Sequence, residues 1–201
     1  MAKLLYQGHG SYRITSNDGH VIYVDPFAGN GYDKPADLIL ITHEHYDHVD
    51  TGLVTPADDC RTIRSADALK GGAHNSFDLG WVNIDSTWAE NANHDPKECV
   101  GYVIKLDGVS VYGAGDTSYY DAMADMPKLN LDYALLPADG IYNMGLDEAA
   151  KCAAVIGAKH NIVIHMVPPT EDDRNKYDLA KAESWTAPNK LIVQPGEEIE
   201  L

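Results

Sequence analysis

The chain has 201 residues, enough for one domain of ordinary size that buries roughly 70 % of the surface its unfolded form would expose. Its 31 acidic against 15 basic side chains give a formal net charge of −16, a field that repels polyanions and disfavours nucleic acid as a partner. Cys60, Cys99 and Cys152 are far apart and form no Cys-x-x-Cys pair, which speaks against a disulfide framework or a thiolate zinc site; a reducing cytoplasm is the expected location, since MAKLLYQG is too brief for a secretory apolar region and no run nears the roughly 20 apolar residues of a membrane span.

Short β-like runs open the chain: LLYQG, SYRITS and GHVIYVDPF, bounded by Asn-Asp-Gly and Pro, predict an antiparallel meander. DLILITH (37–43) is a nearly continuous apolar run ending in HEHYDH, the pattern of a strand buried on both faces. VGYVIKL (100–106) and VSVYGAG (109–115) flank Asp107-Gly108, the signal of a two-residue hairpin turn. DYALLPA (132–138) predicts another strand. LDEAAKCAAVIG (146–157), with acids in its first turn and glycine at its end, predicts a helix. NIVIHM (161–166) reads as a strand, the polar PPTEDDRNKYD at 168–178 as a surface loop, and APNKLIVQPGEEIEL as two short β-like runs around Pro195-Gly196. Without a repeat, low-complexity tract or linker, residues 1–201 read as a single domain of layered α/β architecture.

His43-x-His45-x-Asp47-His48 places three imidazoles and a carboxylate within six residues at the end of the buried strand. In extended backbone, residues two apart point the same way, so His43 and His45 can grip one ion together; where the chain then turns, Asp47 and His48 can face a second. Imidazole nitrogen and carboxylate oxygen are ligands that zinc and similar divalent ions accept. Any one of these side chains could be a solvated loop residue or a helix cap, but four at this spacing after an apolar strand point to a metal site. His94, ahead of VGYVIKL, Asp116, after VYGAG, and His165, at the end of NIVIH, are candidates to complete it, and each alone is equally an ordinary loop or strand-end residue. His20, His74 and His160 read as surface or structural histidines, and Asp139 and Tyr142 in ADGIYN as candidates for a pocket wall.

The order VDPF, THEHYDH, a downstream histidine, GAGDT and an apolar strand ending in histidine resembles the five-motif pattern of the metallo-β-lactamase superfamily. GHGSYRI, NHDPKECVGYVIKLDGVSVYGAGDT, ALLPADGIYNMGLDEAA and QPGEEIEL are similar to its small bacterial metal-dependent hydrolase branch related to L-ascorbate-6-phosphate lactonase. The resemblance implies a four-layer αββα fold, with two mixed β-sheets packed together and helices on the outer faces. It also implies that His43, His45 and His94 hold one ion, that Asp47, His48 and His165 hold another, and that Asp116 bridges the two. Asp25 matches an aspartate that orients the ligand loop from behind, and His9 matches an early Gly-His segment set behind the ligands or at the pocket rim. Where the branch often has His-Pro-Lys-Gly, this chain has His94-Asp95-Pro96-Lys97-Glu98.

The expected function is therefore metal-dependent hydrolysis. Two divalent ions, zinc ahead of manganese or iron, would activate water against a small ester, lactone, amide or phosphorylated compound, with Asp47 or Asp116 handling the proton. The alternatives are a phosphodiesterase or nuclease, which clustered Lys and Arg would favour, and a metal-binding protein without turnover. The expected partner is a small molecule, with no nucleic acid and no membrane, and self-association into a homo-oligomer is left open.

Overall fold

The computed structural model describes residues 1–168 and 174–201. Its strands are β1 (Lys3–Gly8), β2 (Ser11–Thr15), β3 (Val21–Val24), β4 (Ala36–Leu40), β5 (Pro56–Ile63), β6 (Ser76–Asp78), β7 (Asn83–Trp88), β8 (Val100–Leu106), β9 (Val109–Gly113), β10 (Tyr133–Pro137), β11 (His160–Ile164) and β12 (Glu198–Glu200). The helices are α1 (Ser65–Ala68), α2 (Leu146–Ile156) and α3 (Leu179–Ser184). One sheet has the order β12-β1-β2-β3-β4-β5 and the other β11-β10-β9-β8-β7-β6. Both are mixed: β1, β2 and β3 pair antiparallel and β3, β4 and β5 parallel, while β6 to β9 pair antiparallel and β9, β10 and β11 parallel. The expected meander and the hairpin at Asp107-Gly108 are both present. Asp107 and Gly108 have φ of 52° and 81°, the positive values that this kind of two-residue turn requires.

The two sheets bury their facing sides against each other. Leu4, Ile14, Ile22 and Leu38 of the first meet Ile84, Ile104, Val111 and Ile162 of the second in one apolar cluster. β10 is buried along its whole length and β4 nearly so, which explains their continuous apolar runs. On the outer face of the second sheet, α2 lays down Ala149, Cys152, Ala153 and Ile156, the spacing of one helical stripe, and ends at Gly157 with φ 69°. The helical layer over the first sheet is thin. There the segment 26–35 and a 3-10 turn (Thr51–Leu53) cover Val21, Tyr23, Ile39 and Ile41, and Arg13 and Tyr23 donate to the Gly31 and Lys34 carbonyls to hold the segment down.

Two features depart from the sequence reading. Residues 191–194 form no strand. Lys190 makes a single bridge to Asn161, and the chain then crosses to the first sheet, burying Val193 on the way to β12. β5 and β6, each at one edge of its sheet, are polar over most of their length and carry no apolar period; charged edges of this kind disfavour pairing with other chains. Among the described residues no helix is long and apolar enough to cross a membrane. The stretch 168–178, expected to be a surface loop, lies partly outside the described residues.

This topology brings strand ends together. β3 and β4 of one sheet and β9, β10 and β11 of the other run parallel to their neighbours, and their C-terminal ends deliver Asp25, His43, Asp116, Asp139 and His165 to one edge, beside the β1–β2 turn that carries His9.

Candidate metal centre

The side chains singled out as ligands all come together at this edge. Their nitrogen and oxygen atoms lie within 4.8 Å of one another in three overlapping groups: His43, His45 and His94; His9, Asp47, His48 and His165; and His43, His48 and Asp116. Asp116 sits between the first two. Its Oδ2 is 3.4 Å from Nε2 of both His94 and His165, and its Oδ1 is 3.6 Å from His48 Nε2. Asp47 Oδ2 lies 3.8 Å from His48 Nε2 and 4.0 Å from His165 Nε2. All are buried except His45, which is exposed. Gly10 is what lets His48 in, since a Cβ there would fall 2.9 Å from the ring; Gly115, at φ 64°, lets GAGDT pass the Val100 carbonyl, which a Cβ would approach to 2.6 Å.

Hydrogen bonds to fixed acceptors determine which ring nitrogen of each histidine carries its proton. Asp25 is a carboxylate and only accepts: Thr42 N donates to Oδ1 at 2.8 Å, and Thr42 Oγ1 and His48 Nδ1 donate to Oδ2 at 2.6 and 2.8 Å. Having given its proton to Asp25, the Thr42 hydroxyl accepts from His43 Nδ1 at 3.0 Å. Asn143 Nδ2 donates to Asp116 and Asp139, so its Oδ1 accepts from Asn91 Nδ2, and Asn91 Oδ1 in turn accepts from His94 Nδ1 at 2.8 Å. His165 Nδ1 lies 3.1 Å from Asp139 Oδ2, at ion-pair distance without the alignment of a regular hydrogen bond. In the rings of His43, His48 and His94, Nδ1 is the donor, and the Nδ1 of His165 faces a carboxylate. The four Nε2 atoms, of His43, His48, His94 and His165, are buried and meet no hydrogen-bond partner. Buried ring nitrogens without partners are costly, and seven side chains of this chemistry, His43, His45, Asp47, His48, His94, Asp116 and His165, fit divalent cations.

Electrostatics agree. His43 is held well below the usual imidazole range by burial and by His48, and His94 is lowered by burial. Burial also opposes charge on His48 and His165, yet Asp116 and the carboxylate behind each ring, Asp25 or Asp139, outweigh it, and His165 is raised to about 10. A centre that draws positive charge onto buried rings also favours a cation among them. His9, Asp25 and His165 have φ of 50°, 45° and 48°, left-handed values costing on the order of 1–3 kcal/mol each in non-glycine residues. Strain of this kind at three strand ends turns the side chains into the cleft.

Asp25 stands behind the ligands, bonded to His48 and to the residue before His43. His9 Nε2 donates to Asp47 Oδ2 at 3.0 Å, and burial and the neighbouring His165 push its pKa down to about 4, so a neutral His9 orients Asp47. Asp139 does more than line a wall: its Oδ1 accepts from the backbone of Ile141, Tyr142 and Asn143 while Oδ2 faces His165. Thr42, Asn91 and Asn143 were not anticipated; the only local hints are that Thr42 precedes the ligand loop and that Asn91 lies three residues before His94. His20, His74 and His160 lie away from the centre, against Trp81, Trp88 and Tyr133. Above the cluster opens a cavity of about 500 Å³ whose walls include Glu44, Tyr46, Asn93 and Tyr142.

Residues 3–166 match the family profile described as Beta-lactamase superfamily domain. A UPF0173 metal-dependent hydrolase of Pyrococcus furiosus is 30% identical over 230 residues, spanning 100% of both chains. Another, from Ligilactobacillus salivarius, is 34% identical and covers 92% of this chain and 96% of its own. Among solved structures, one described as a metal-dependent hydrolase from Parabacteroides distasonis superposes with a TM-score of 0.76 at 26% identity, over 98% of this chain and 94% of that one. With fold, cluster and relatives in agreement, the chain belongs to the UPF0173 metal-dependent hydrolases of the β-lactamase superfamily.

Proposed function

We propose that this protein is a dinuclear hydrolase of small molecules, with His43, His45 and His94 around one divalent ion, Asp47, His48 and His165 around a second, and Asp116 shared between them. The observation that carries this reading is the set of four buried, partnerless Nε2 atoms converging on Asp116 and Asp47. When bound, such ions lower the pKa of water from about 15.7 toward 7 and polarise the substrate oxygen. The chain supplies the rest. The hydrogen bonds at Nδ1 of His43, His48 and His94, and Asp139 facing His165 Nδ1, would hold the rings with Nε2 toward the ions, Asp47 or Asp116 would take the proton from the attacking water, and His9 would keep Asp47 aimed at the cavity.

Zinc is the proposed metal on the histidine-rich donor set, with manganese or iron as substitutes. The proposed setting is a single domain at work in the cytoplasm on a diffusible substrate. A nuclease reading gains no support, because no lysine or arginine lines the cavity among the described residues. The test is metal content by mass spectrometry joined to ester hydrolysis before and after chelation. The expected result is close to two ions per chain and an activity lost on chelation and regained with metal. A content near zero after incubation with zinc, manganese or iron would remove the reading.

A further inference from the structure

The cavity has a floor built for electrophilic chemistry and walls without positive charge. Glu44, Tyr46, Asn93 and Tyr142 rise above the ligands, with no lysine or arginine among the described lining residues. Residues 169–173, outside the described part, are Pro-Thr-Glu-Asp-Asp and include no cation. Three cations nearby are engaged elsewhere. Arg64 Nη1 donates to both oxygens of Glu44 at 2.9 and 2.7 Å, Arg174 stands 4.2 Å over the Phe27 ring and 3.6 Å from Asp50, and Lys181 Nζ donates to the carbonyls of Asp139 and Met166. Lys97 lies outside the cavity lining, in an adjoining groove on the far side of Glu44 and His45.

Backbone donors give the same answer. The N–H groups of Ile141, Tyr142 and Asn143, just ahead of α2, converge as an anion cradle does, but Asp139 Oδ1 already accepts all three, at 2.6, 2.6 and 3.2 Å. Four carboxylates in or behind the cluster, Asp25, Asp47, Asp116 and Asp139, offset the four positive charges that two divalent ions bring. Among the described residues that line the cavity, a phosphate group on a substrate would find no arginine fork, lysine or open amide nest, and the chain's charge of −16 would oppose its approach.

The mouth of the cavity is aromatic instead. Tyr46 is 60% and Tyr142 47% exposed, Ile141 beside it 66%. Tyr46 meets Phe27 edge to face with centroids 6.0 Å apart, and Asn93 Nδ2 donates to the Tyr142 carbonyl, so the Tyr46 ring and the Tyr142 backbone are held to the walls. Flat apolar groups stack on such faces, and apolar rims with few polar groups bind neutral ligands.

Resting on the hydrolase reading above, we infer that the substrate is a neutral ester or lactone carrying an aromatic ring, not a phosphorylated compound, and that Tyr142 and Tyr46 select it. The reaction adds one water across the acyl C–O bond: the carbonyl carbon gains the water oxygen, the departing oxygen takes a proton, and the products are a carboxylic acid and an alcohol or phenol.

The test compares dihydrocoumarin and phenyl acetate with phenyl phosphate and bis(4-nitrophenyl) phosphate on the zinc-loaded and manganese-loaded protein. The neutral pair should lead in kcat/KM by at least about 100-fold, as expected when a buried polar group finds no partner. Tyr142→Ala should lower the preference for dihydrocoumarin over ringless γ-valerolactone by about five- to tenfold, mainly through KM, and Tyr142→Phe should preserve it. Saturation-transfer NMR, with acetanilide and phenyl phosphate as probes, reads binding without turnover, and acetanilide alone should respond. Phosphates hydrolysed as well as esters, phenyl phosphate bound, or an unchanged preference in Tyr142→Ala would overturn the inference and leave the hydrolase standing. Acetanilide binding with no turnover of any substrate would sink the hydrolase reading instead, and neither binding nor turnover would sink both.

Discussion

On one side of Asp116, the far nitrogens of His43 and His94 rest on a hydroxyl and an amide, and His45 stands in solvent. On the other side, His48 and His165 each have a carboxylate at their backs, and Asp47 receives a hydrogen bond from His9; every member is buried. Carboxylate support makes an imidazole a stronger donor, and the rings with neutral support, His43 and His94, are left with their basicity lowered by burial. On the proposed two-ion reading, the deeper half would hold its ion and the shallower half, next to Glu44 and Tyr46 at the cavity mouth, would exchange ligands. The contrast shows how one cluster combines a firm anchor with an open face, using only what stands behind each ring.

The largest effect should come from the residue common to both halves. Asp116→Ala should lower kcat/KM for ester hydrolysis on the order of a thousandfold, because several kcal/mol of charge stabilisation go with it. His20→Ala and His74→Ala should leave activity unchanged, since both rings lie away from the centre. Equal losses from all three at equal folding stability would break the assignment of Asp116.

Next in size are the carboxylates behind the deeper half. In Asp25→Asn the carboxamide oxygen must still accept from Thr42 N, which turns its NH2 toward His48 Nδ1, donor against donor. His48 would then carry its proton on Nε2 instead of Nδ1 and lose its ligating lone pair. The backbone is undisturbed, because asparagine tolerates the left-handed conformation found at this position. Asp139→Asn meets the same conflict at His165. Each variant should weaken metal binding by roughly 10 to 100-fold without abolishing the fold, measured by competition with a chelating dye and by circular dichroism. Unchanged affinity would reduce Asp25 to a turn residue before Pro26 and erase the contrast between the halves.

What the sequence made legible follows the same division of labour. The ligand loop stands out because histidine and aspartate at that spacing, after an apolar strand, have few other uses. β4, β8, β9, β10 and α2 are legible because burial on both faces or capping leaves a mark in each. Asn143 and Asn91 act through hydrogen bonds to residues 27 and 52 positions away, and nothing local distinguishes them from other loop asparagines. Asp139 was visible as a strand-end residue, but its place behind His165 depends on two parallel strands meeting in register. β5 and β6 escaped because polar edges have no period, and 191–194 was misread because an apolar, β-branched run can also serve to cross between sheets.

The smallest expected effect is at the point where the two halves touch. The Thr42 hydroxyl donates to Asp25, which orients His48, and accepts from His43 Nδ1, so one side chain would serve both proposed ions. Thr42→Val keeps the shape and removes the hydroxyl. Asp25 retains the Thr42 N–H at this position and His48 as donors, so the deeper half should bind its ion within about threefold of the parent. His43 Nδ1–H is left buried without an acceptor, a cost of about 1–3 kcal/mol that the ring can avoid by moving its proton to Nε2, where it blocks ligation. Metal titration followed by mass spectrometry should therefore find one ion held as before and the other bound several-fold more weakly. Loss of both ions to the same extent would show that the halves are not separately supported, and loss of neither would show that His43 does not depend on Thr42 for its tautomer.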